Sequence, residues 1–271
     1  MPGHAIYPSL QDKRVVVSGG ASGIGAATVE LFALQGSQVI FLDISRDAAQ
    51  RTIDRVVSLS KNPQIKTLAP IRTPIFYYCD LSILSEVKST AATILEKHGP
   101  VHVLVNNAAA PGSIARLASL DVTPENWDFS INTNFRHVFF LSQAFIPGMK
   151  TLGGGSIVNL GSITWRIPSD GTPVYGACKA AIMGLTKTQS MEFGKDNIRV
   201  NSVMPGAIAT ETQIRDVLTP EYRAEVFRGQ ALQRDLVPME VAKVIVFLGS
   251  EEASGVTGSS YVVDGGWVGD P

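Results

Sequence analysis

The feature that most constrains this sequence is a regular alternation of short apolar runs with longer stretches of helical spacing. The first two runs, VVVS and VIFL, are continuously apolar, as expected for strands that are buried on both faces. Short apolar strands that alternate with helices are typical of a parallel sheet. We therefore predict an α/β fold, with a doubly wound parallel sheet of about seven strands and helices on both faces. The predicted strands are Arg14–Ser18, Gln38–Leu42, Ile75–Cys79, Val101–Val105, Ser156–Leu160, Ile198–Val203 and Ser260–Val263, and the predicted helices are Ile24–Gln35, Arg46–Ser60, Ile83–His98, Asn126–Met149, Val174–Phe193 and Pro238–Gly249.

Charge and composition exclude several classes of protein. Lys and Arg number 23 against 24 Asp and Glu, so the chain lacks the basic excess that a nucleic-acid or anionic-membrane partner requires. No apolar run approaches the ~18 residues of a membrane span, and Met1–Gln11 lacks the pattern of a signal peptide. Two cysteines and four histidines without ligand spacing predict no metal site. Because no composition break divides the sequence, we expect one domain over residues 1–271. The lack of membrane and signal patterns predicts that the protein is cytoplasmic.

A glycine-rich segment, Ser18–Gly25, follows the first predicted strand and opens directly into a helical pattern. Gly19 allows a sharp turn, Gly23 lets the backbone approach a pyrophosphate, and Gly25 permits close packing of the helix on the strand. The amino end of the helix supplies N–H groups and partial positive charge for the phosphates. A glycine-rich turn with no ligand is the simpler alternative.

The second predicted strand leads to Asp43, which favours the dinucleotide over the simple turn. A carboxylate about 20 residues after the glycines accepts a hydrogen bond from the adenosine ribose 2′-hydroxyl and repels a 2′-phosphate. We therefore predict that the cofactor is NAD, with NADP as a secondary cofactor because Arg46 lies close by in the sequence.

The spacing Gly-x-x-x-Gly-x-Gly resembles that of the short-chain dehydrogenase/reductase family. The segments Asn106–Ala109, Pro205–Gly206 and Thr210 resemble further motifs of that family along the whole chain. The resemblance implies a Rossmann-type domain. The cofactor-binding residues that the loop and the resemblance imply are Gly19, Ser22, Gly23, Ile24, Gly25, Asp43, Ile44, Asp80, Leu81, Asn107, Ala108, Tyr175, Lys179, Pro205, Gly206, Ile208 and Thr210.

Tyr175 and Lys179 are spaced to share one face of a helix. A free tyrosine has a pKa near ~10, but a neighbouring ammonium and a positive nicotinamide ring favour the phenolate, so that Tyr175 can act as a base. An isolated pair of this kind is more often a surface pair. The family resemblance assigns Ser162 to the reacting oxygen and Asn134 to a kinked helix with a bound water.

Within that family, the sequence resembles the bacterial members that oxidise D-xylose or L-arabinose. These enzymes act on the anomeric C1 hydroxyl and give an aldonolactone. The resemblance is carried by Ala5–Leu10, Val39–Ile44, Asn134–His137, Pro147–Lys150 and Gly161–Trp165. It implies a small sugar as partner, with Ser162, Thr164, Trp165, Tyr175 and Gln213 as substrate residues. The segment Ala207–Leu232 is a candidate lid, whose polar residues either face a sugar or simply face solvent.

Two other functions stay open on sequence grounds. One is a reductase of ketones or 3-oxoacyl groups from the same family, and the other is a non-catalytic NAD-sensing protein. The complete set of Ser162, Tyr175 and Lys179 argues against a sensor, which needs no base. The run Gly258–Trp267 predicts an edge strand, and the resemblance implies that such chains assemble into a homotetramer.

Overall fold

The computed structural model describes residues 4–65, 67, 69–110, 112, 116–167 and 169–268. Seven parallel strands form one sheet in the order β3-β2-β1-β4-β5-β6-β7, which confirms the predicted doubly wound fold. The strands are β1 (Arg14–Ser18), β2 (Gln38–Asp43), β3 (Ile75–Tyr78), β4 (Val103–Asn106), β5 (Gly155–Leu160), β6 (Ile198–Pro205) and β7 (Ser260–Val263). The strand order reverses between β1 and β4, and ligands of such sheets bind beyond the carboxyl ends of the strands at that point.

Helices connect the strands and cover both faces of the sheet. They are α1 (Gly23–Leu34), α2 (Arg46–Ser60), α3 (Leu84–His98), α4 (Pro124–Ile131), α5 (His137–Thr151), α6 (Pro173–Phe193), α7 (Glu211–Asp216), α8 (Pro220–Gly229) and α9 (Pro238–Gly249). Within the described residues, no helix has both the length and the apolarity that a membrane crossing requires.

Alternation of side chains along β1 divides the core into two layers. Val15 and Val17 are fully buried in the layer under α1 and α9, whereas Val16 is fully buried in the layer under α3 and α5. Successive side chains of a strand point to opposite faces, so a strand between two helical layers is favoured by apolar residues at successive positions. This preference explains the continuous runs in the sequence.

The structure differs from the predicted helices in two places. The long helix expected over Asn126–Met149 is interrupted by a π-helical turn at Asn132–Arg136. The candidate lid contains two short helices, α7 and α8, which begin after the capping side chains of Thr210 and Thr219. Both features lie next to the cleft described below, where π-helical turns and lid segments commonly occur.

Candidate active site

A cleft of about 270 Å³ opens beyond the carboxyl ends of β4, β5 and β6, with α7 and α8 along one side. Ser162, Tyr175 and Lys179 all line it, although they come from two separate elements of the chain. The structure therefore brings together three of the four predicted catalytic residues. The fourth, Asn134, is fully buried behind the cleft.

Ser162 lies just beyond β5, where it begins a single 3-10 turn over Ile163–Trp165. Its Oγ accepts a hydrogen bond from the backbone N–H of Thr164 at 3.1 Å, and it lies 2.7 Å from Thr164 Oγ1. Its hydroxyl also hydrogen-bonds the side chain of Tyr175. The turn thus aims a serine hydroxyl at the tyrosine.

Tyr175 lies in the first turn of α6, which begins at Pro173. Burial raises the pKa of Tyr175 above its ordinary value, and the hydrogen bond from Ser162 and the positive charge of Arg116 both act to lower it. The sequence predicted a lowered pKa, and in the protein chain itself the direction is the opposite.

Burial is the main cause, and it also acts on Lys179, whose Nζ is 5.5 Å from the centre of the Tyr175 ring. Lys179 is 2% exposed, and burial lowers its pKa to about 8. At pH 7 this lysine still carries most of its positive charge, but burial disfavours the ammonium that the prediction placed beside Tyr175. Nζ donates a hydrogen bond of 2.7 Å to the carbonyl of Leu160, which fixes the lysine beside the end of β5.

The Asn134 side chain stabilises the π-helical turn rather than lining the cleft. Its Oδ1 accepts a hydrogen bond from the N–H of Ala110 at 3.0 Å, and its Nδ2 donates to the carbonyl of Ser130 at 2.9 Å. Asn134 therefore ties the helix to the loop after β4. His137, at the next turn, is fully buried, and burial together with the charge of Lys179 lowers its pKa to about 3, so its ring is neutral at physiological pH.

The glycine-rich loop has the geometry that a pyrophosphate requires. Gly19 and Gly23 have φ angles of 65° and 53°, which favour glycine, and a Cβ added to Gly19 would lie 2.8 Å from Ala108 Cα. At Gly25 an added Cβ would lie 1.9 Å from the Gly19 carbonyl oxygen. Ser22 begins α1 without a side-chain capping bond, so the first N–H groups of the helix stay available to an anion. The loop fits a dinucleotide.

Asn107 and Asp43 hold this loop from either side. Asn107 Nδ2 donates to the carbonyls of Ser18 and Gly19 at 3.0 and 2.9 Å. Asp43 Oδ2 accepts from the N–H of Ala21, and Oδ1 accepts from the N–H of Ser45, each at 3.0 Å. Each carboxylate oxygen keeps a second lone pair, which a ribose hydroxyl can use.

The region expected to receive adenine agrees with the sequence in part. Ile44 is 60% exposed and offers an apolar surface, whereas Leu81 is buried in the core, so only its backbone is available. The Asp80 carboxylate accepts hydrogen bonds from the N–H and hydroxyl of Ser82. The sequence analysis missed Tyr78, an exposed side chain whose ring lies 4.7 Å from the Arg46 guanidinium.

The segment after β6 closes the other end of the cleft. Pro205, Gly206, Ile208 and Thr210 line it as predicted, together with Ile24 at the start of α1. Thr210 caps the amino end of α7, since its Oγ1 accepts a hydrogen bond from the N–H of Gln213. A Cβ added to Gly23 would lie 3.0 Å from Thr210 Cγ2, so the start of the lid lies beside the glycine-rich loop.

The structure places two groups of predicted substrate residues differently from one another. Trp165 is not among the described residues that line the cleft, since it points outward from the 3-10 turn and is 37% exposed. Of the polar residues in or next to the lid, Gln213 lines the cleft, whereas Arg215 pairs with Asp216 and Arg234 pairs with Glu240 at the surface. Lid polarity is therefore mostly a solvent-facing property, as the simpler alternative held.

The cleft also has lining residues that the sequence analysis missed: Arg116, Ser169, Thr172, Tyr222 and Trp267. Arg116 is the most informative, since its exposed guanidinium acts on Tyr175. It follows a loop with no recognisable motif, so no signal in one sequence could have identified it. Pro111 and Pro168, which neighbour lining residues in the sequence, lie outside the described residues. No group of three or more potential metal ligands occurs among the residues described.

Comparison with known proteins agrees with this geometry. A family model described as enoyl-(acyl carrier protein) reductase matches residues 19–268. The chain is 43% identical to a D-xylose 1-dehydrogenase of Caulobacter vibrioides over 97% of its length and 98% of the relative's. It is 40% identical to a probable galactose dehydrogenase of Rhizobium meliloti, over 96% of both chains. A solved structure described as a short chain dehydrogenase/reductase family protein superposes with a TM-score of 0.79 at 32% identity, over 95% of this chain and 98% of that one.

Proposed function

Because this chain belongs to the short-chain dehydrogenase/reductase family, an oxidoreductase family that acts on CH–OH groups with NAD(P), we propose that it is an NAD-dependent aldose 1-dehydrogenase. Its substrate would be a cyclic aldose such as D-xylose, L-arabinose or a related sugar, which it oxidises at the anomeric C1 hydroxyl to the aldonolactone. We also propose that residues 1–271 act as one domain.

The observation that carries this proposal is the pair of sugar dehydrogenases at 43% and 40% identity. Both match almost from end to end, so the aligned region includes nearly all of this chain. Hydroxyl-bearing side chains and a guanidinium line that cleft, which suits a small polyol.

The side chains of the cleft define the proton transfers of this reaction. Tyr175, as the phenolate, takes the proton from the C1 hydroxyl, and Ser162 donates a hydrogen bond to the same oxygen as negative charge develops on it. Lys179, held by the Leu160 carbonyl, binds the ribose of the cofactor and relays the proton onward. When bound, the nicotinamide supplies the redox chemistry, since it accepts the hydride from C1.

The preference for NAD rests on Asp43. Its carboxylate lies at the end of β2, held by the N–H groups of Ala21 and Ser45, where a negative charge opposes a 2′-phosphate. Arg46 is a nearby cation that could favour NADP, and its guanidinium stacks over the Tyr78 ring.

The test is NADH formation by the purified protein with NAD and a panel of D-xylose, L-arabinose, D-galactose and L-rhamnose. We expect turnover of at least one aldose, none with its C1-blocked methyl glycoside, and a loss of at least ~100-fold in Tyr175→Phe. Tyr261→Phe is a matched control, because it removes a phenol hydroxyl from β7 at a position that is not among the described residues lining the cleft, and it should leave turnover unchanged.

Other outcomes would assign a different function. Turnover of acetoacetyl esters with NADH but of no aldose would identify a 3-oxoacyl or ketone reductase of the same family. NAD binding without turnover of any alcohol or ketone would identify an NAD-sensing protein. Unchanged turnover in Tyr175→Phe would remove the proposed base from the mechanism.

A further inference from the structure

The Ser162 hydroxyl is the centre of a short chain of hydroxyl groups. Thr164 Oγ1 lies 2.7 Å from Ser162 Oγ on one side, and the Tyr175 hydroxyl is the hydrogen-bonding partner on the other. All three side chains line the cleft. The sequence analysis placed Thr164 only as a substrate contact, whereas in the structure its hydroxyl is bonded to Ser162.

The numbers of protons and lone pairs limit how the hydrogen bonds among these three hydroxyl groups can be arranged. A serine hydroxyl has one proton and two lone pairs. One lone pair of Ser162 is taken by the Thr164 backbone N–H, which can only donate. If the Thr164 hydroxyl donates as well, both lone pairs are used, and the only group that Ser162 still offers to the cleft is its proton. If Thr164 accepts instead, the Ser162 proton points away from the substrate.

Oxidation of an alcohol needs the first of these two arrangements. The substrate oxygen gains negative charge as its proton leaves for Tyr175, and only a donor can stabilise that charge. Among the residues that the structure describes, the Thr164 hydroxyl has no hydrogen-bond partner besides Ser162, so its proton is free to serve Ser162.

We propose that Thr164 is a positioning residue whose hydroxyl donates to Ser162 and thereby keeps the Ser162 proton directed at the reacting oxygen. The proposal deepens the proposed function and rests on its alcohol oxidation, but not on which alcohol is the substrate. Thr164 itself need not touch the substrate.

The test substitutes Thr164→Val, which keeps the shape of the side chain and the backbone N–H but removes the donor. We expect kcat to fall about three- to tenfold, the size expected for one neutral hydrogen bond, with KM for the alcohol unchanged. A weaker Ser162 donor also stabilises the Tyr175 phenolate less, so the limb of the pH–rate profile that reports Tyr175 moves to higher pH. The charged or titratable groups that face Tyr175, namely Arg116, Cys178 and Lys179, are left in place.

Three further variants make the result specific. Thr164→Ser keeps the hydroxyl and should restore both kcat and the pH profile. Thr172→Val removes a different hydroxyl of the same cleft, one that bonds Ser169, and should leave the pH profile in place. In a Ser162→Ala background, Thr164→Val should cause no further fall in kcat, since the group through which it acts is gone.

A rise in KM with an unchanged pH profile would overturn the proposal and make Thr164 a direct substrate contact. An equal loss of kcat with and without Ser162 would also overturn it. If wild-type protein oxidises no aldose, the aldose proposal fails on its own, and the same four variants are compared with whichever alcohol or ketone the wild type converts. Should Thr164→Val not fold, Thr164→Ala removes the same donor without added branching.

Discussion

Arg116 lies outside the catalytic motif, and its positive charge lowers the pKa of Tyr175. Its charge favours the phenolate, so its removal in Arg116→Gln should raise the pKa of Tyr175 further. Because oxidation requires the phenolate, activity rises with pH through this pKa, and the rising limb of the pH–rate profile should move to higher pH. At pH 7 the rate should fall about two- to fivefold, the effect of an exposed charge.

The pH–rate profile of sugar oxidation by Arg116→Gln and wild type checks this prediction. Arg228→Gln, an exposed arginine of α8 outside the described lining of the cleft, changes the net charge equally and should leave the profile in place. Identical profiles for Arg116→Gln and wild type would show that the guanidinium does not act on the tyrosine.

Asp43 is the residue on which cofactor choice should depend. Asp43→Asn keeps the side-chain shape and one acceptor for the loop N–H groups, but it removes the charge that opposes a 2′-phosphate. We expect the ratio of kcat/KM for NAD to that for NADP to fall about 10- to 100-fold, the range of one charge-assisted hydrogen bond. Asp54→Asn, at an exposed position of α2, should leave the ratio unchanged; an unchanged ratio in Asp43→Asn would assign the preference elsewhere.

At the scale of elements, strands and long helices follow directly from local pattern. The strand bounds agree with prediction to within about two residues, because strands buried on both faces are mainly apolar. The family resemblance implied a kinked helix at Asn134, but local pattern alone does not predict the π-helical turn at Asn132–Arg136, since it depends on a bond from the Ala110 N–H, 24 residues away. The lid helices α7 and α8 are short and partly exposed, so they carry too little apolar periodicity to be recognised.

The contact between the glycine-rich loop and α1 gives a prediction at this scale. A Cβ at Gly25 would lie 1.9 Å from the Gly19 carbonyl oxygen, so Gly25→Ala must push the helix away from β1. We expect a loss of about 1–3 kcal/mol in the free energy of unfolding and weaker NAD binding, because the pyrophosphate site lies in the same loop. Urea unfolding and NAD titration by calorimetry measure the two effects.

Gly194→Ala is the matched control for Gly25→Ala. Gly194 ends α6 with φ −58° and ψ −35°, which alanine adopts readily, and an added Cβ meets nothing within 4 Å. We expect it to be neutral or to stabilise by at most about 1 kcal/mol, with NAD binding unchanged. Equal effects of the two substitutions would mean that loss of glycine, and not the contact with Gly19, is responsible.

Across the whole molecule, the sequence predicted which residues meet but not how they influence one another. Ser162, Tyr175 and Lys179 meet because parallel strands end at one edge, which is a property of the fold. The proton affinities in the cleft depend on burial instead. The pKa of Lys179 falls to about 8 because the lysine is enclosed by the folded chain, which no spacing in the sequence reveals.

Two kinds of surface on this molecule are suited to assembly with further copies of the chain. β7 forms one edge of the sheet, and the helices carry exposed apolar side chains at Trp127, Phe139 and Met191. Edge strands and exposed aromatic or methionine side chains are both suited to contacts between subunits. We predict a homotetramer, with a sedimentation mass about four times the 29.0 kDa of the chain.

The two kinds of surface can be told apart by substitution on one of them. Met191 is 84% exposed on α6, so Met191→Glu should not disturb the fold of the single chain. If α6 packs against a second copy, burying that charge without a partner should split the tetramer into smaller species at micromolar concentration. If only the β7 edge forms the contact, Met191→Glu should sediment as the wild type does. A wild-type species near the mass of one chain would refute the tetramer, and both surfaces would then face solvent.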